Sequence, residues 1–98
     1  MEKRMPHCPL ARVHSLLADG LVRITGVAAK GAADLQLSEQ QLLATVSQLS
    51  GGDFYKSMTS HADHRIWHDV YRPVTPAGRV YLKLVVINDV LIVSFKEL

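Results

Sequence analysis

The sequence predicts an α+β domain in two layers, with N-terminal helices packed on a mainly antiparallel β-sheet. Three observations predict it. Apolar residues recur at three- and four-residue spacing only up to Leu49, and strand-like alternation begins only after Asp53. The last stretch, Arg79 to Lys96, reads as a hairpin with one wholly apolar face. Helices first and strands afterwards fit a sheet covered on one side and wet on the other.

The helices come first. Pro9 suits the first position of a helix, and Leu10, Val13, Leu16 and Leu17 follow at helical spacing until Gly20 stops it. Leu21 to Ile24 is a small edge strand or an extended connector. Thr25 caps a second helix over residues 26–34, where Ala28, Ala29, Ala32 and Ala33 permit close packing, although Gly31 weakens it. Ser38 and Gln41 form a capping box for a third helix with Leu42, Leu43, Val46 and Leu49 as its core stripe, ended by Gly51-Gly52.

Phe54 to Ser60 and His64 to Arg72 are the next strands, followed by a turn over residues 73–78 and the final hairpin. A two-residue Asn88-Asp89 turn sets Val85 against Ile92, Lys83 against Ser94 and Tyr81 against Lys96. Val80, Leu82, Leu84, Val86, Leu91, Val93 and Phe95 then form the apolar face. A four-residue loop over 74–77 pairs Pro73 with Gly78, sets His68 against Lys83 and leaves Trp67 and Tyr71 for the core. A three-residue loop, His61-Ala62-Asp63, puts Lys56 across from His68; a two-residue loop would bury an unpaired ammonium. On this register Lys56, His68, Arg72, Tyr81, Lys83, Ser94 and Lys96 share the wet face.

Ninety-eight residues, 48% of them hydrophobic, make one domain over 1–98 with a single core. A net charge of +2 permits nucleic-acid binding without arguing for it. No apolar run approaches the ~20 residues of a membrane span, and residues 1–6 lack the apolar stretch of a signal peptide, so the chain is expected in the cytoplasm. Cys8, the only cysteine, rules out an internal disulfide and a Cys-rich zinc site and reads as a packing residue. On a strand, His64 and His68 lie roughly 13 Å apart, too far to share an ion. No metal or cofactor is expected, since there is no phosphate-binding glycine loop, no nucleophile elbow and no carboxylate pair. What is left is a polar face of lysines, a tyrosine and a histidine, suited to anion binding and proton transfer on a phosphodiester. The plainer reading of those lysines is solubility and protection of a sheet edge.

Four blocks of the sequence carry a resemblance. Residues 1–7 (Met-Glu-Lys-Arg-Met-Pro-His), 53–59 (Asp-Phe-Tyr-Lys-Ser-Met-Thr), 66–73 (Ile-Trp-His-Asp-Val-Tyr-Arg-Pro) and 90–96 (Val-Leu-Ile-Val-Ser-Phe-Lys) resemble the motility quorum-sensing regulator (MqsR) family of type II toxin mRNA interferases. The likeness runs the full length and is weakest from Thr25 to Leu49. It implies a RelE-like fold and ribosome-independent cleavage of single-stranded mRNA at GC-containing triplets, inhibiting translation and growth. It also implies neutralisation by a cognate MqsA-like antitoxin with a zinc-binding N-terminal domain and a helix-turn-helix C-terminal domain. The family's catalytic positions fall on Lys56, Tyr81 and Lys96, and a further one on His68, where a family member carries glutamine. His7 matches a supporting histidine of the family. Arg72, Lys83, His7 and Ser94 are the candidate RNA contacts.

The chemistry so implied is metal-independent attack of a 2′-hydroxyl on the adjacent phosphate, leaving a 2′,3′-cyclic phosphate and a 5′-hydroxyl. Lys56 and Lys96 would stabilise the transition state, and Tyr81 would orient the phosphate or protonate the leaving oxygen. His68 is the natural base because its ordinary pKa of about 6.5 lies near working pH; a lysine of lowered pKa is the other candidate. A non-catalytic module that recruits RNA or protein at an exposed sheet edge is the competing class. Only an enzyme would shorten RNA.

Overall fold

The structure, a computed structural model, describes residues 1–98. The helices form where their caps put them. Strand β1 (Glu2–Lys3) precedes α1 (Leu10–Ala18), which ends at Gly20 (φ +75°) with the Leu21 amide donating back to the Leu16 carbonyl at 2.9 Å. After β2 (Val22–Ile24), the Thr25 hydroxyl accepts from the Ala28 amide at 3.1 Å and opens α2 (Gly26–Asp34). The Ser38–Gln41 capping box, with both bonds made, opens α3 (Glu39–Ser47). The helical glycine has a use: a Cβ at Gly31 would overlap the Phe95 carbonyl oxygen, so its absence lets α2 lie directly on the last strand.

After a short 3₁₀ turn at Gly51–Asp53 come β3 (Phe54–Thr59), β4 (Trp67–Tyr71), β5 (Val74–Thr75), β6 (Gly78–Val86) and β7 (Val90–Glu97). The sheet order is β1-β3-β4-β6-β7-β2, with β5 on β6, and every pairing is antiparallel except β2 with β7. Val13 and Leu16 of α1, Ala28 and Ala32 of α2, and Leu42 and Val46 of α3 meet Tyr71, Val80, Leu82, Leu84, Ile92 and Phe95 in one core, which Cys8 also joins. The expected α+β arrangement of helices on a mainly antiparallel sheet is thus present.

Three registers differ from the sequence reading. The final hairpin turns through three residues, pairing Val86 with Val90, and an extra residue at Val93 then restores Lys83 to Ser94 and Tyr81 to Lys96. The bulge reverses the alternation of β7: Val90 and Ile92, not Leu91 and Val93, are buried with Phe95 on the core side. The β5–β6 turn is tighter than a four-residue loop. Thr75 pairs with Gly78 (φ +97°), its hydroxyl accepts from the Ala77 amide, and Lys83 lies opposite Val70 rather than His68. The β3–β4 connection is longer, running from Ser60 to Ile66, so Lys56 lies opposite Val70 and Met58 opposite His68. These last two slips are of two residues each, and because the side-chain period is two, Lys56, His68, Tyr81 and Lys83 keep their predicted face.

Trp67 shares the core side of β4 with Tyr71 but is not in the core. The N-terminal segment crosses there: the His7 ring stacks on the Trp67 indole at 5.5 Å and the Lys3 ammonium sits 4.2 Å from its centroid. Asp69, 2% exposed, anchors the crossing by accepting from the His7 and Cys8 amides at 2.9 Å each and from the Ser57 hydroxyl.

Candidate active site

The face away from the helices is built in rows across neighbouring strands. One row runs Lys56, Val70, Lys83, Ser94 through β3, β4, β6 and β7. The next holds Tyr81 beside Lys96, and on the other side lie Met58 and His68. Val70 is fully buried yet belongs to no helix-side cluster. It sits in the row between two lysines, Lys56 on β3 and Lys83 on β6.

Tyr81 is the hub of this surface. The ammonium groups of Lys96 and Lys83 lie 5.3 Å and 5.9 Å from its ring centroid. At the β3 edge, the bulge between Phe54 and Lys56 splits two adjacent aromatics between the faces. Phe54 packs edge-on against Tyr71, while the Tyr55 ring takes the Arg72 guanidinium at 3.9 Å and the Lys56 ammonium at 5.4 Å. A hollow of about 280 Å³ beside His68 and Lys83 extends the surface under the β3–β4 loop, past Met58 and His61. A larger hollow of about 370 Å³ lies between α1 and α3; its lining is mostly apolar and holds none of these residues.

The electrostatics follow from burial and crowding. Half-buried Lys83 has its pKa lowered, first by desolvation and then by Lys96 and Lys56. His68 is pushed down as well, by desolvation and then by Lys83, against a smaller pull from Asp69, so its imidazole is neutral at pH 7. Lys56 goes the other way. Its ammonium donates to the Glu2 carboxylate at 3.0 Å, which raises its pKa and lowers that of Glu2.

Of the sequence-predicted residues, Lys56, His68, Tyr81, Lys83, Ser94 and Lys96 come together on this face, with Arg72 at its edge through Tyr55. His7 does not. Its amide is held by Ser57 and Asp69 and its ring by Trp67, all on the helix side of the sheet. Sequence reasoning missed Glu2 and Tyr55. A two-residue strand has no period to detect, and the adjacent Phe54-Tyr55 pair, which breaks strict alternation, was the available sign of a bulge.

The description "Motility quorum-sensing regulator, toxin of MqsA" belongs to the family model that matches residues 5–97. The chain belongs to this family. It is also 53% identical over 97 residues to the mRNA interferase toxin MqsR of Escherichia coli (strain K12), with 99% of each chain covered. The residues that the MqsR family model spans include every member of the cationic face described above. No helix is long and apolar enough to cross a membrane.

Proposed function

We propose that residues 1–98 form one toxin domain of a toxin–antitoxin pair, an endoribonuclease that cleaves mRNA and so arrests translation and growth in the cytoplasm. The observation that carries this reading is the convergence of Lys56, Lys83, Lys96, Tyr81 and His68 on one face of a chain 53% identical to an mRNA interferase. A scissile phosphate seated over Val70 and Lys83 has a basic group at one end of the face and a phenol at the other. His68 and Tyr81 lie two rows apart, roughly 13 Å along the strands, with Lys83 in the row between them.

His68, neutral at working pH, takes the proton of the 2′-hydroxyl. The new O–P bond forms as the bond to the 5′-oxygen breaks. Tyr81 gives its proton to that leaving oxygen, and Lys56 and Lys96 hold the negative charge that builds on the phosphoryl oxygens. The products are a 2′,3′-cyclic phosphate and a 5′-hydroxyl end, with no ion required. Lys83, Arg72 and Ser94 bind the flanking RNA. A second reading of the base draws on the lowered pKa of Lys83, which brings a lysine closer to proton transfer near neutrality.

The resemblance to MqsR supports single-stranded substrates, ribosome independence and cutting at GC-containing triplets. It also supports neutralisation by an MqsA-like antitoxin with a zinc-binding and a helix-turn-helix domain. Primer extension on an unstructured RNA, in EDTA, tests the activity. We expect discrete cuts with 5′-hydroxyl ends that fall by roughly 10²–10³-fold with Lys96→Ala or Tyr81→Phe, the loss typical of a transition-state donor. Intact RNA that is nevertheless bound would favour the non-catalytic module, and activity lost in EDTA but restored by a divalent ion would overturn the mechanism.

A further inference from the structure

Of the four ion pairs in the structure, one alone touches the cationic face, Glu2 with Lys56. We propose that Glu2 is a positioning residue of the cleavage reaction. The N-terminal strand delivers its carboxylate to the sheet edge, where it engages one N–H of the Lys56 ammonium and leaves the other two for the phosphate. The inference rests on the reading of Lys56 as a group that touches the phosphate.

The placement is built in. Strand β1 pairs Glu2 with Met58 and Lys3 with Ser57, so Glu2 shares the face of Lys56 while Lys3 turns to the Trp67 side. The segment is held at both ends. Before Glu2, the Thr59 amide donates to the Met1 carbonyl at 2.9 Å; beyond Lys3, Asp69 takes the His7 and Cys8 amides and Trp67 takes the His7 ring. The Lys56 side chain is 17% exposed and 3.0 Å from the carboxylate.

Two lysines in one row show what the carboxylate does. Lys56 and Lys83 flank Val70 on either side, and only Lys56 has an anionic partner. The other groups around Lys56 are Tyr55 on its own strand, with Arg4 and Arg72 on that ring, and Tyr81 and Lys83 on β6; beyond them lie Lys96 beside Tyr81 and the neutral His68 one row along β4. Burial first, and then Lys96 and Lys56, push Lys83 toward losing its proton, with no carboxylate to oppose them; the bond to Glu2 holds Lys56 charged. A flexible ammonium in such company would otherwise swing outward, away from the other cations.

On an RNA-binding face a carboxylate is unfavourable in itself, which makes the test decisive. Simple electrostatics says that Glu2→Gln tightens RNA binding and leaves turnover unchanged or faster. The positioning role predicts KM unchanged or lower, kcat down about tenfold from loss of alignment, and an alkaline limb shifted to lower pH. NMR titration of the Lys56 side chain should show its pKa fall once the carboxylate is gone, and this reads the ammonium itself even if the segment loosens. An unchanged Lys56 titration with unchanged or raised kcat overturns the inference. Lys56→Ala separates the two failures. If it cleaves normally, the catalytic reading of Lys56 falls; if it is inactive while Glu2→Gln changes nothing, only the role of Glu2 falls.

Discussion

The two faces of this sheet are made by the same strands and obey opposite rules. On β6, Val80, Leu82 and Leu84 are fully buried beneath the helices, while Tyr81 and Lys83 between them are half-exposed among other cations. On β4, Tyr71 belongs to the core and His68 to the hollow beside Lys83. Neighbours in sequence are therefore separated by the thickness of the sheet. Truncation of a core side chain such as Leu84 should cost stability, and truncation of a polar neighbour such as Lys83 or Tyr81 should cost activity.

The largest effects fall on the helix side. Leu84→Ala removes a fully buried side chain and should destabilise by about 2–5 kcal/mol, the usual range for a leucine truncated in a core. Gly31→Ala should cost several kcal/mol as well, because the new methyl meets the Phe95 backbone carbonyl, which can yield only if α2 lifts from β7. Chemical denaturation measures both, and the folded fraction of each should still cleave RNA. A Leu84→Ala protein as stable as the parent but inactive would break the division between the faces.

Much of this division was legible in the sequence, and the reason is parity. The β3–β4 and β4–β6 registers were each misread by two residues, yet Lys56, His68, Tyr81 and Lys83 still landed on one face because an even slip preserves it. Helices opened by Thr25 and Ser38 were legible because capping is local chemistry. The bulge at Val93 was not, and the one at Tyr55 left only the adjacent Phe54-Tyr55 pair as a sign, since each is selected by what the neighbouring residues bury: Phe54 against Tyr71, and Val90 and Ile92 against the core. Strand β1 escaped notice because two residues have no periodicity. Nothing in the local sequence marks Asp69, and only the distant amides of His7 and Cys8 explain its burial.

A pH series sharpens the comparison on the polar side. Burial and then Lys83 depress the His68 pKa below its ordinary 6.5. The acid limb of kcat/KM, which reports the free enzyme, should therefore lie below pH 6.5, and His68→Gln should abolish it together with roughly 10²-fold of the rate, the scale of a general base. The stability effect has a definite sign. Below pH 6.5 the unfolded chain takes up a proton before the native imidazole does, so the parent loses stability as pH falls toward the native pKa. Above 6.5 both forms are neutral and the contribution vanishes. His68→Gln should thus be the more acid-stable protein. If it cleaves as fast as the parent across pH 5 to 9, Lys83 becomes the base.

The smallest expected effect is the most telling, because it uses the same substitution on both faces. Tyr81→Phe removes a phenol that faces solvent and two ammonium groups, and should leave stability untouched while cleavage fails. Tyr71→Phe removes a hydroxyl that is fully buried and has no hydrogen-bond partner. Burial pushes the Tyr71 phenol far above its ordinary pKa, so it is never ionised at working pH. An unpartnered hydroxyl in an apolar surround opposes folding, and its removal should stabilise by about 1 kcal/mol with cleavage unchanged. The ring itself must stay, since it packs edge-on against Phe54 and fills the core beside Leu82. A loss of stability in Tyr71→Phe would mean that the hydroxyl has a partner, such as an ordered water. A loss of cleavage instead would mean that the core and the polar face are not independent, and that alternation along β4 does not separate folding from chemistry.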